Sequence, residues 1–389
     1  MRYIFLRLKR FCGFATGLVF FIGGILKLMD PEGAGLIMGE YMDFLHLKFL
    51  GFAAKPLGTA FALAETIIGT ALITGIWRKT FGVAAMAFQG FFTLLTLALV
   101  IFNPTMDCGC FGEAIHLTHM ETFLKNIVLC ILLSAYLFPA KMLGEPKAKK
   151  YVTFAVVTTS VVAFMAYSWM YIPLVDYTAY KPGAVLKASE AEPAEEAFEA
   201  VFIYEKDGKE ETFDLEHLPD STWTFVRTDT RATAGSSAED MVDLSFYNSD
   251  GEYMDETAAE GRVMVISLHK TDISTHKWEE ISGFVHNAEE AGFKAIVLAS
   301  DVPADTHGLE VYIADYKTLL AMNRSNGGVT YFSDGNLIRK WAFRARPDME
   351  RLNELYNEDA TETVIYHNAK GSLAFQGFLL YVFAVMLLL

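Results

Sequence analysis

Apolar positions fall into long unbroken blocks in the first half of the chain and into short alternating stretches in the second. Blocks at 11–29, 56–77, 81–102, 123–139 and 151–174 each approach the ~20 residues a helix needs to cross a bilayer. They predict five spanning helices, and a sixth block at 373–389 has the length to return the chain through the membrane. Between the first two blocks, 37–52 mixes Met, Phe and Leu with Glu40, Asp43, His46 and Lys48, which suits a helix lying on the membrane interface.

After residue 174 the pattern changes. The stretch 187–197 is rich in Ala and Glu and reads as a tether or a solvated helix. Residues 200–204 and 211–215 flank Asp207-Gly208, the signature of a small hairpin. Strand 261–268, a helical pattern with Trp278, Ile281, Phe284 and Val285 apolar, and strand 293–299 predict a parallel α/β unit. A helical pattern at 315–324 then leads to strands 328–332 and 337–343 around Asp334-Gly335, and Pro347 marks the start of another helix.

Charge orients these elements. Arg2, Arg7, Lys9 and Arg10 precede the first span, Arg78 and Lys79 join spans two and three, and Lys141, Lys147, Lys149 and Lys150 follow span four. Positively charged short segments stay in the cytoplasm, whereas 103–120 holds no Lys or Arg and is expected outside. The first block is read as a span rather than a cleaved signal, because no small-residue cleavage site follows it. Within 175–370 there are 38 acidic against 18 basic side chains, while the whole chain has a net charge of −15. The acidic half is expected in the periplasm of a bacterial inner-membrane protein; its charge argues for solubility and against nucleic-acid binding.

The chemistry concentrates outside. Asp107-Cys108-Gly109-Cys110-Phe111-Gly112 places two of the four cysteines one residue apart, and a disulfide across a single residue closes a small strained ring that is easily reduced. Cys108 and Cys110 are therefore candidate redox residues. Glu65 is the third candidate, because a carboxylate in mid-span is costly unless paired or hydrated; it reads either as a proton carrier or as an ion-pair partner of Lys27. Cys108, Cys110, His116 and His119 also form a thiolate–imidazole set for zinc or copper, but Cys-x-Cys is tighter than usual structural-zinc spacing and a solvated interfacial pair is the blander account. Cys12 and Cys130 read as packing. A relay of the DsbB type needs a second cysteine pair, which this chain lacks.

Phe21-Ile22-Gly23-Gly24-Ile25-Leu26-Lys27-Leu28-Met29-Asp30-Pro31, then Glu65 with Gly69, then the Asp-Cys-Gly-Cys-Phe-Gly loop, resemble the DoxX/MauE-like membrane proteins over about 11–140. That resemblance implies a four-helix bundle and links to quinone and sulfur redox and, in the MauE branch, to methylamine utilisation and maturation of a disulfide-rich periplasmic enzyme. The order of elements from 235 resembles the thioredoxin-like fold, with 235–251 similar to the lead-in of its peroxiredoxin branch. The family's Cys-x-x-Cys is missing: 269–278 holds no cysteine, and Gly327-Gly328 stands where a cis-proline is usual.

The fold expected is thus a membrane α-helical bundle, DoxX-like with an additional helix, carrying a C-terminal α/β thioredoxin-like domain. Its parts are 1–140 (four-helix membrane domain), 141–174 (fifth span), 175–234 (acidic linker and hairpin), 235–366 (thioredoxin-like domain) and 373–389 (sixth span). Two functions stand open. One is assistance to periplasmic thiol or quinone-linked redox through Cys108 and Cys110, with quinone the cofactor candidate and a periplasmic redox protein the partner. The other is a non-enzymatic anchor or assembly factor whose acidic domain binds a partner while the cysteines staple a loop.

Overall fold

The computed structural model describes residues 2–138, 146–187, 198–206, 209–213, 224–232, 241–303 and 305–388. Helices α1 (Arg2–Met29), α2 (Pro31–Phe44), α3 (Ala54–Thr74) and α4 (Arg78–Phe102) are followed by the extended segment β1 (Cys110–Glu113), then α5 (His119–Leu137) and α6 (Ala148–Met170). A 3-10 turn, Lys48–Ala53, leads into α3. Strands β2 (Val185–Leu186), β3 (Phe198–Lys206), β4 (Lys209–Phe213), β5 (Thr224–Ala232), β6 (Met241–Val242) and β7 (Phe246–Tyr247) come next. The chain continues through α7 (Glu256–Ala259), β8 (Arg262–Leu268), α8 (Thr275–Glu290), β9 (Lys294–Ala299), β10 (Val311–Ala314), α9 (Tyr316–Met322), β11 (Gly328–Ser333), β12 (Asn336–Trp341), α10 (Met349–Asn357) and α11 (Ala360–Leu388).

Six of the described helices are long and apolar enough to cross a membrane. At the centre α1 packs on α3, and small residues set how close they come: a Cβ on Gly69 would lie 2.6 Å from the backbone nitrogen of Phe21, so only glycine admits this approach. Outside them α4 and α5 share a buried hydrogen bond from Asn126 Nδ2 to Thr96 Oγ1, 3.1 Å. On the other flank Phe164 of α6 stacks on Phe378 of α11 at 4.6 Å between ring centroids, and Lys150 Nζ donates to the Met386 carbonyl at 3.0 Å. That bond brings the end of α11 to the start of α6, so the two run antiparallel. The helix begins at Ala360 rather than 373, because its polar first turns (Glu362, His367, Asn368, Lys370) are helical as well.

Local signals set the boundaries. Asp30 caps α2, its Oδ1 accepting the Gly33 N–H at 3.0 Å with Pro31 at the first helical position, so the interface helix starts at Pro31 rather than 37. Thr118 and Glu121 form a capping box at α5. Asp348, not Pro347, opens α10, its side chain accepting from Arg351 N.

The second half is built on an eight-stranded sheet in the order β6-β2-β12-β11-β8-β9-β10-β7. Strands β8, β9 and β10 are parallel, while β11 runs antiparallel to β8 and β12 antiparallel to β11. Central β8 is buried on both faces: Met264, Ile266 and Leu268 join a core with Trp278, Phe284 and Leu352, and Val263 and Val265 face the opposite core with Leu319 and Phe332. This two-sided burial explains the unbroken apolar run of that strand. A separate three-stranded sheet, β4-β3-β5, contains the expected hairpin, paired from Phe202↔Phe213 to Lys206↔Lys209. The turn at 207–208, most of the tether at 187–197, and 235–240 of the expected thioredoxin-like lead-in lie outside the described residues.

The sheet domain meets one end of the bundle. Arg324, in the turn between α9 and β11, reaches Asp30 at the end of α1 and Glu113 on β1. The basic starts of α1, α4 and α6 lie at the opposite end, where Arg10, Arg78 and Lys149 share one cavity wall.

Candidate functional site

The cysteine loop is held by left-handed backbone. Gly109 and Gly112 have φ of +59° and +61°, where a side chain is strained. A Cβ on Gly109 would also come within 2.5 Å of Ile37 on α2, so the loop lies directly on that helix. There the Tyr41 hydroxyl donates to the Cys108 carbonyl at 2.8 Å. Cys108 is 5% exposed and packs with Tyr41 and Leu99, with Ile37, Leu95 and Met106 around them. Cys110 is half-buried, and both thiols are free. Burial pushes the Cys108 thiol above its ordinary pKa, so it is protonated near neutrality.

Glu65 is brought to the same place. Its Oε2 lies 2.5 Å from Lys27 Nζ, both side chains largely buried, which is the ion pair that the mid-span carboxylate required. Gly23 on α1 makes room: a Cβ there would be 3.1 Å from Glu65 Oε1 and 3.3 Å from the Cys110 carbonyl. The three sequence candidates therefore converge across α1.

They line one cavity of about 250 Å³, walled by Phe61, Phe88, Phe92 and other apolar side chains from α1 to α5. Gln89 and Asn126 also line it. Gln89 is 4% exposed, and its Nε2 has no hydrogen-bond partner among the described residues. A buried amide donor with nothing to donate to costs about 1–3 kcal/mol, and one facing a cavity is provided for once a carbonyl or hydroxyl enters. The sequence signal was present, a lone amide within an apolar span, of the kind that singled out Glu65. Tyr41 and Arg324 carried no local signal, because their partners lie 67 and 294 residues away.

The thiolate–imidazole set is not assembled. His116 Nδ1 faces Asp107 Oδ2 at 3.5 Å in an exposed position, and His119 Nε2 lies 2.9 Å from the Met106 carbonyl. Among the described residues no three His, Cys, Asp or Glu are grouped to hold a metal. Cys12 is buried in a separate core with Phe20 and Leu72; Cys130 lies 3.4 Å from Thr93 Oγ1.

Above the cysteine loop sits the docking contact of the sheet domain. Arg324 is nearly buried, with Nε 2.8 Å from Asp30 Oδ2, Nη2 3.0 Å from Glu113 Oε1 and Nη1 3.1 Å from the Leu320 carbonyl. The two carboxylates hold the guanidinium above its ordinary pKa despite the burial that opposes them. Lys317 and Glu40 add an exposed pair at 2.7 Å. Beside Arg324 the loop after β8 is closed by Asn326, which accepts from Lys270 N at 3.0 Å and donates to its carbonyl at 2.9 Å. His269 in that loop is 3% exposed, and burial with nearby cations pushes its pKa down to about 3.

Six apolar helices and an appended mixed α/β domain define a multi-pass membrane protein. Residues 4–139, which contain the whole cavity lining, match the family of methylamine utilisation protein MauE. Residues 198–233 match a domain of unknown function, DUF8463, and correspond to the three-stranded sheet. Neither a curated protein nor a solved structure matches the chain.

Proposed function

We propose that the membrane half is a thiol redox module of the MauE type in a bacterial inner membrane, with its cysteine loop and sheet domain on the periplasmic side. Cys108 and Cys110 exchange between dithiol and disulfide, and the electrons pass to a quinone-class molecule in the cavity. The observation that carries this reading is that one apolar cavity is lined by both thiols, by Glu65 and by the unpartnered amide of Gln89.

The residues fit such a substrate. Aromatic and aliphatic walls suit a ring; Gln89 Nε2 is a donor for a ring carbonyl. The cavity is below the ~300 Å³ at which small-molecule pockets usually begin, so it has room for a single ring. In the redox step both S–H bonds break and the Cys108–Cys110 bond forms, while two electrons and two protons convert quinone to quinol. Glu65, paired with Lys27, is the group placed to relay a proton. With the pair oxidised, one thiol of a periplasmic dithiol partner attacks Cys110, the more accessible sulfur, and Cys108 leaves as the thiol; the partner's second thiol then resolves the mixed disulfide, so the partner is oxidised and both cysteines are reduced.

The sheet domain is read as thioredoxin-like without redox cysteines. The order β12-β11-β8-β9, with α8 crossing between parallel β8 and β9 and α10 following the β11–β12 hairpin, supports that reading. Arg324 and Lys317, which pair with Asp30, Glu113 and Glu40 of the membrane half, support a docking role rather than thiol chemistry of its own. The non-enzymatic anchor remains the competing function, and the redox state of the pair separates the two. Alkylation of membranes after reductant and then quinone addition reports it: the pair should move from alkylated to protected, and thiols that stay alkylated under both conditions favour the anchor.

A further inference from the structure

At the end of the bundle away from the sheet domain lies a second cavity, of about 620 Å³, where Arg10, Arg78, Lys147, Lys149 and Lys150 meet an apolar wall that includes Phe14 and Leu72. No acidic side chain lines it among the described residues. The sequence explains the imbalance: residues 1–29, 66–106 and 146–175 contain no Asp or Glu. Charge bias alone would place Lys and Arg on this side, but it does not require them to converge on a cavity.

A second observation points to a ligand. Tyr136 lines the same cavity, is 4% exposed, and its hydroxyl is buried without a hydrogen-bond partner among the described residues. A sequestered O–H in an apolar span is costly unless an acceptor reaches it. The height of the cavity in the bilayer is marked by Trp77, which is 54% exposed and meets Tyr151 edge-on at 5.5 Å between ring centroids; aromatic pairs of this kind gather at headgroup level.

We propose that this cavity seats the phosphate headgroup of an anionic phospholipid, its acyl chains following the apolar wall and Tyr136 donating to a headgroup or ester oxygen. Cation, cavity, apolar wall and unmet donor are the components of a basic headgroup pocket between membrane helices. The site is separate from the cysteine cavity and its occupancy does not depend on the redox reading.

The test is native mass spectrometry of the full-length protein in detergent with dioleoylphosphatidylglycerol or dioleoylphosphatidylcholine. One tightly held phosphatidylglycerol is expected over phosphatidylcholine, and Lys147→Gln with Lys149→Gln should weaken it by about fivefold per charge removed. Tyr136→Phe removes only the hydroxyl and keeps the packed ring, so it should weaken retention while the thermal midpoint in phosphatidylcholine does not fall. Equal retention of the two lipids overturns the proposal, as does a preference untouched by all three substitutions. Displacement of the lipid by millimolar inorganic phosphate would overturn it in favour of a soluble anion.

Discussion

Arg324 Nε lies 2.8 Å from Asp30 Oδ2, and this contact joins the sheet domain to the junction of α1 and α2. Glu113, the second carboxylate on the same guanidinium, follows Cys110 by three residues, so one side chain sets the domain against the loop. Removing one partner of a buried ion cluster costs about 3–5 kcal/mol, since the remaining charges are left without compensation.

Arg324→Met is therefore expected to release the sheet domain and leave Asp30 and Glu113 facing each other. Maleimide labelling of Cys108 in the intact protein should become faster, because the loop loses its upper restraint. Unchanged labelling would show that α2 alone, through Ile37 and Tyr41, holds the loop.

Gly109 tests that lower restraint. Gly109→Ala puts a side chain at φ +59° and against Ile37, with the left-handed backbone alone costing about 1–2 kcal/mol. Faster Cys108 labelling and a lower thermal midpoint are expected. Combining it with Ile37→Ala should restore part of the loss, and a strictly additive double variant would contradict the contact.

Glu65→Gln keeps shape and hydrogen bonding but removes the carboxylate beside Lys27. Loss of a positioned proton carrier lowers the rate by at least about 100-fold, so thiol oxidation by quinone should slow by that order while expression and folding persist. A rate near that of the parent would assign Glu65 to helix locking alone.

His269 gives the sheet domain an acid sensitivity. Its folded pKa of about 3 lies below the ordinary 6.5, chiefly through burial and then through Lys270, Lys277, Lys55 and Arg324. The unfolded chain binds a proton below pH 6.5 that the folded chain refuses, so the contribution is complete above 6.5 and falls as pH drops toward 3. From pH 7 to pH 5 this group alone costs about 2 kcal/mol. Urea midpoints followed by tryptophan fluorescence should fall across that interval, and less steeply in His269→Asn; parallel slopes would contradict the assignment.

The spans were legible because a bilayer demands length and apolarity from contiguous residues, and both strand faces of β8 were legible in its apolar run. The pairing of Glu65 could be expected from the cost of a lone charge in hydrocarbon, and the structure supplies Lys27 at 2.5 Å. The start of α11 was hidden because its first turns carry Glu362, His367 and Lys370, and hydropathy registers only what lipid would touch. Strand β5 was missed because Thr224–Ala232 alternates polar residues without a strong apolar face. Tyr41 and Arg324 were unreadable for a different reason: each matters through a neighbour that is reached only once distant helices and the sheet have packed, and Gln89, visible as a lone amide in an apolar span, gains its cavity only then.

The most direct measurement is the stoichiometry of thiol loss when the purified, reduced, full-length protein is mixed anaerobically with decylubiquinone. One quinol is expected for each pair of thiols lost, with the new disulfide found by mass spectrometry between Cys108 and Cys110 and no quinol formed by the Cys108→Ser/Cys110→Ser variant. Thiols that stay reduced, or quinol formation that persists without both cysteines, would contradict the redox role.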